Sequence, residues 1–203
     1  WQDSLGGLMP VPQALIERDT ALRRALGAPD VRYLIAVEGD DAQAVLARSD
    51  ALARRLDAAG AHGERGAYDH AARYLPTLET QRRRQQALPA PALLRAELSA
   101  AVARTEFRPE AFDPFLADVE VARHLPPLTP DALAGTPLAS RVGSLLLPHD
   151  GHWTGLVLLI DAKDPAAIAR RVEGVPETTF LDLKAASEGL VAGQRDRILA
   201  CLA

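Results

Sequence analysis

Cysteine, lysine, aromatic side chains and long apolar runs are all scarce in this 203-residue chain. A lone cysteine, Cys201, excludes an internal disulfide and a thiolate cluster for zinc. Aromatics make up 4% of residues, too few for a base-stacking surface. Net charge is −4 with acids and bases interspersed, so no basic footprint for nucleic acid is present. Lys163 and Lys184 are the only lysines, and arginine carries the rest of the positive charge. The longest apolar run, Gly155-Leu-Val-Leu-Leu-Ile160, is far shorter than the roughly 20 residues a spanning helix needs. What remains is an ordinary globular composition, 48% apolar and 25% charged, long enough for one large domain or two small ones.

Periodicity predicts a helix from Pro12 to about Leu26, with Leu15, Ile16 and Leu22 on one stripe and Gly27 as its C-terminal stop. Val31–Val37 reads as a strand. Asp40 with Gln43 then has the form of a capping box for a helix bearing Val45, Leu46, Leu52 and Leu56. A weak strand is expected near Glu64–Tyr68. From Asp69 to Leu147 the pattern is helical and broken by prolines, several at first helical positions. Strand character returns at Thr154–Ile160. Asp164-Pro165 opens a helix closed by Gly174, Thr178–Leu183 is a strand, and a long helix begins at Asp182.

This order predicts an α+β protein with a split βαβ, ferredoxin-like sheet of RND porter type, a large helical insertion and a long C-terminal helix. Residues 1–68 would hold the N-terminal helix and first βαβ half, 69–150 the insertion, and 151–203 the second half with a helix leading to a membrane span. The two most apolar strands, 31–37 and 154–160, would lie in the middle, as doubly covered strands do.

Several clusters are candidates for chemistry. His149, Asp150 and His152 are suitable metal ligands, although Asp150-Gly151 is a strong turn signal that gathers polar residues for backbone reasons. Arg82, Arg83 and Arg84 could grip phosphate, but successive helical residues turn about 100°, so the three point different ways. Glu38 and Asp161 each end an apolar strand and would form an acid–base pair if those strands ran parallel. No Gly-x-Ser-x-Gly elbow and no Gly-rich phosphate loop occurs. The densest apolar-aromatic stretch holds Phe107, Phe112, Phe115 and Leu116, which read either as core or as the lining of a lipid or partner groove.

The chain opens on Trp1-Gln2-Asp3, an amphipathic aromatic of the kind enriched at bilayer edges. It closes inside a helical pattern with no stop signal. Both ends suggest a water-facing loop between two membrane spans. Several segments resemble the extracytoplasmic loop of MMPL-type predicted exporters in the RND transporter superfamily, the second such loop more than the first. They are Trp1-Gln-Asp-Ser-Leu-Gly-Gly-Leu-Met-Pro-Val-Pro12, Asp19-Thr-Ala-Leu-Arg-Arg-Ala-Leu-Gly-Ala-Pro-Asp-Val-Arg32, Tyr74-Leu-Pro-Thr-Leu-Glu-Thr-Gln-Arg82, Phe112-Asp-Pro-Phe115, Gly135-Thr-Pro-Leu138 and Phe180-Leu-Asp-Leu-Lys184. The resemblance implies a non-enzymatic periplasmic domain on an inner-membrane, proton-driven exporter, guiding a lipid-like or lipid-linked pigment substrate, without cofactor or metal. Its implied partners are the membrane-embedded remainder of the same transporter and the lipid-like substrate, but not nucleic acid; a homo-oligomer is a further arrangement. A soluble interaction module docking through Phe107–Phe115, and a small-molecule hydrolase using Glu38, Asp161 or the His149–His152 loop, are the alternatives.

Overall fold

The computed structural model describes residues 11–25, 32–58, 67–160 and 162–202. Helix α1 spans Gln13–Ala25, followed by β1 (Tyr33–Gly39), α2 (Ala42–Ala58) and β2 (Ala67–Asp69). A 3-10 turn at Ala71–Arg73 leads into α3 (Leu78–Gln86), α4 (Pro91–Val102), α5 (Asp113–Ala122) and α6 (Pro137–Gly143). Strands β3 (Leu146–His149) and β4 (His152–Ile160), helix α7 (Pro165–Val172), strand β5 (Thr178–Asp182) and helix α8 (Leu183–Leu202) complete the described chain. The protein is α+β.

The sheet has five strands in the order β2-β4-β1-β5, with β3 also paired to β4, and every pairing is antiparallel. Strands β4 and β1 are central, as their apolar content requires. The outer edge of β4 is shared: β2 takes its C-terminal part, where Ala67 faces Ile160, and β3 its N-terminal part, where Leu146 faces Gly155. Strand β3 lies within the stretch read from sequence as helical insertion, and is a correction to that reading. Its cause is the turn. Asp150 and Gly151 both have positive φ (44° and 83°), the two-residue I′ geometry whose twist matches paired strands. The same geometry brings His149 opposite His152.

Alternation along β1 and β4 puts Ile35, Val37, Val157 and Leu159 on the face covered by α2 and α7, where they pack with Leu52, Leu56, Ile168 and Val172. A second core cluster joins Val45 and Leu46 of α2 to Ala71, Ala72, Leu75, Leu133, Val142, Leu145 and Leu146, fastening the root of the insertion to the sheet. Two glycines allow α2 to settle this closely. A Cβ on Gly155 would stand 2.5 Å from Val45 Cγ1, and one on Gly39 would stand 2.9 Å from Val45 Cγ2.

Local signals act largely as their chemistry dictates. Asp164 Oδ1 accepts from the Ala167 amide at 2.9 Å, Pro165 occupies the first turn of α7, and Gly174 follows with φ 74°. The capping box expected at Asp40 is displaced by one residue. Asp41 Oδ1 accepts from the Ala44 amide at 2.7 Å, while Gln43 Oε1 is turned away to accept from the Leu78 amide at 2.8 Å. Asp182 caps α8 by accepting from the Lys184 and Ala185 amides, and also pairs with Arg32 at 2.9 Å. No described helix is long and apolar enough to cross a membrane.

Candidate functional site

Helices α3, α4 and α5 are built from good helix formers, yet Val102 is their only buried residue. Polar side chains hold them instead. Gln81 donates to the Pro76 and Leu128 carbonyls (2.8 and 3.0 Å) and accepts from the Leu128 amide at 2.7 Å. Gln85 donates to the Ala122 and Leu125 carbonyls at 3.1 and 2.7 Å, satisfying one group that the end of α5 leaves open and another just beyond it. Arg123 donates to the Leu88 and Pro89 carbonyls and to Glu120, joining α5 to the α3–α4 link.

Because little apolar surface is consumed between them, α4 and α5 leave a groove. One part, about 540 Å³, is lined by Pro91, Leu94, Arg95, Leu116, Val119 and Arg123 among others. The other, about 240 Å³, is lined by Leu98, Val102 and Pro109 among others, and Arg95, Asp113 and Leu116 border both. Leu116 is half-buried in the floor. Phe107 and Phe112 meet edge-to-face, with ring centroids 6.1 Å apart at 85°, a favourable quadrupolar arrangement. Phe107 is nonetheless 67% exposed and Phe115 48% exposed, so the reading as core is corrected for these two rings; Phe112 is half-buried, and of the four candidates Leu116 lines the groove.

The candidate histidines lie on the sheet. His149, Asp150 and His152 sit at the β3–β4 turn, with His149 Nε2 at 3.2 Å from Asp150 Oδ2 and His152 Nδ1 at 3.7 Å from Asp40 Oδ1. Glu38, Arg48, Trp153, Thr154 and Glu177 complete a cleft of about 380 Å³ there. Among the described residues no three His, Cys, Asp or Glu side chains converge as metal ligands. The Glu38–Asp161 pairing is overturned by strand direction. Glu38 faces Thr154 and Tyr33 faces Leu159, so β1 and β4 end at opposite ends of the sheet; Asp161 itself lies outside the described residues. Arg82, Arg83 and Arg84 are solvated, and Arg83 pairs with Glu79 at 3.8 Å.

Sequence reasoning missed a buried polar centre at the root of the insertion. Asp69, 4% exposed at the end of β2, accepts from the Tyr74 hydroxyl at 3.0 Å, from Arg141 of α6 and from the His70 amide at 3.0 Å. The Arg141 guanidinium lies 5.6 Å from the Tyr74 ring centre, and its hydrogen bond with Tyr74, followed by Asp69, raises its pKa further. The signal was thin: Arg141 is 72 positions from Asp69. Comparison with protein-family models, with curated proteins and with solved structures finds no match to this chain.

Proposed function

We propose that this chain is an extracytoplasmic, substrate-guiding domain of an MMPL-type exporter of the RND superfamily, on the periplasmic side of the inner membrane, handling a lipid-like cargo. The observation that carries the proposal is the α4–α5 groove: a trough lined by Leu94, Leu116 and Val119 and by the charged Arg95, Asp113, Glu120 and Arg123, with exposed Phe107 and Phe115 on the adjoining segments, on helices held by hydrogen bonds instead of a core. Such a surface accepts an amphipathic chain without first giving up internal packing. The strand order β2-β4-β1-β5 with antiparallel neighbours supports the finer reading of a split βαβ, ferredoxin-like sheet, in which 70–145 is inserted between the second and third strands of the motif. Helix α8 supports attachment to a larger body, since Leu183, Leu190 and Val191 are exposed along it.

The test is mass spectrometry of lipid co-purified with the chain and with Phe115→Asp and Leu116→Asp. We expect bound lipid in the parent and at least tenfold less in both variants, with unchanged circular dichroism. A lipid-free parent, or loss of lipid only together with loss of fold, refutes the reading. If the parent is lipid-free but cross-links to a protein through the Phe107–Phe115 face, it is a docking module.

A further inference from the structure

A histidine stands beside the Asp69 centre in a setting that suits only its neutral form. His70 is 3% exposed, and its Nδ1 is buried with no hydrogen-bond partner among the described residues. It links β2 to the 3-10 turn Ala71–Arg73, whose Ala71 and Ala72 belong to the core that fastens the insertion to α2 and α6. The neutral ring can leave one nitrogen unprotonated, and the charged ring has two donors to satisfy. Protonation at Nδ1 therefore places a donor and a charge where no acceptor stands among the described residues.

The charged residues described around it do not provide one. On its own segment, Asp69 is already engaged with Tyr74 and Arg141, and Arg73 donates to the Tyr68 carbonyl at 3.1 Å. From α2, Asp50 and Asp57 face the same side together with Arg54, which holds Asp50 in an ion pair. From α6 the nearest charge is Arg141, through Asp69. Strand β4, which also packs against the turn, carries no charged residue within its span; His152, at its far end, is its only titratable group. Burial lowers the His70 pKa against the opposing pull of Asp50 and Asp69.

A groove of about 580 Å³ opens next to the ring, lined by Asp50, Ala53, Asp57, Tyr68, His70 and Arg73 among others. An imidazolium leaving its buried site has this open, carboxylate-bordered groove to enter, and its departure unseats the turn that anchors the insertion. We propose that His70 is a proton-sensitive latch at the root of the helical insertion, closed when neutral and released when protonated. The inference stands independently of the exporter reading, because it concerns only how the insertion is fastened to the sheet.

The linkage sets the size of the effect. A solvated histidine titrates near 6.5, whereas the buried ring stays neutral to lower pH. Between pH 7.5 and 5.5 the ratio of released to closed forms then rises, by at most about tenfold, the limit for a closed ring that stays neutral throughout. Hydrogen exchange reads this directly at the Arg73, Tyr74 and Leu75 amides, which donate to the His70 and Ala71 carbonyls at 2.9–3.2 Å. After correction for intrinsic exchange, protection at these amides should fall over that pH interval, by up to about tenfold. His70→Phe keeps a ring without a proton site, and His70→Asn serves should the phenylalanine variant fail to fold; either should hold protection constant with pH. Unchanged protection in the parent, or the same loss in a folded His70 variant, overturns the proposal.

Discussion

Replacing Gly155 with alanine tests how α2 is seated on the sheet. The added Cβ would stand 2.5 Å from Val45 Cγ1 and 3.1 Å from Ser49 Oγ, and both neighbours are buried in the helix that covers the central strands. Such a contact forces either the Val45 rotamer or the helix to shift, and overpacking of this kind costs about 1–3 kcal/mol. Since Val45 is fully buried within a core cluster, the upper part of that range, about 2–3 kcal/mol, is expected. Val45→Ala alone removes two carbons at about 0.8 kcal/mol each and leaves a small void, giving roughly 2 kcal/mol. Independent effects would sum to about 4–5 kcal/mol, but the alanine at 155 can occupy the space vacated at 45. The double variant should therefore lose only about 2 kcal/mol, a coupling of about 2 kcal/mol. Urea unfolding of the parent, the two single variants and the double variant measures all four corners, and at a slope of about 2–3 kcal/mol/M the single glycine variant should shift the midpoint by about 1 M. A Gly155→Ala loss below about 0.5 kcal/mol, or strict additivity in the double variant, would show that the contact is not constraining.

Asp69→Asn should destabilise by about 2–4 kcal/mol, because Arg141 then points a charge at a neutral amide beside the core, and Tyr74→Phe by about 1.5–3 kcal/mol for a hydrogen bond to a carboxylate; thermal denaturation gives both. Hydrogen bonding from Arg32 lowers the Asp182 pKa below 3.8, so its contribution is complete above that value and is lost as pH falls through the folded pKa. Asp182→Asn retains a capping side chain while abolishing the titration, so urea midpoints between pH 5 and 2.5 should fall less steeply in the variant than in the parent. Glu177 holds φ 54° outside any glycine, and Glu177→Gly should stabilise by up to about 1 kcal/mol in the same assay. Gly151→Ala, at φ 83°, should cost about 1 kcal/mol by weakening the hairpin turn.

How legible each feature was depended on the range of the interaction behind it. Helix α7 was readable end to end because its cap, first-turn proline and closing glycine act within a few residues of one another. The Asp150-Gly151 turn was equally readable, yet strand β3 was not: Leu146-Leu-Pro-His149 has a proline and no alternation, and it becomes a strand only because β4 offers it an edge. The Phe107–Phe115 cluster was found by composition, but whether it formed core or surface depended on how far apart α4 and α5 stand. Glu38 and Asp161 were misjudged because two apolar strands give no sign of their relative direction.

Composition and short-range pattern thus determined the α+β class, the central place of the two apolar strands and the ends of several helices, since propensity, caps and periodicity are properties of neighbouring residues. The tertiary structure alone decided that Arg141 meets Asp69, that His70 Nδ1 is buried with no hydrogen-bond partner among the described residues, and that α4 and α5 leave a groove between them. Those outcomes follow from chain closure over tens of residues, where burial and charge compensation are settled by what arrives in space and not by what lies adjacent in sequence.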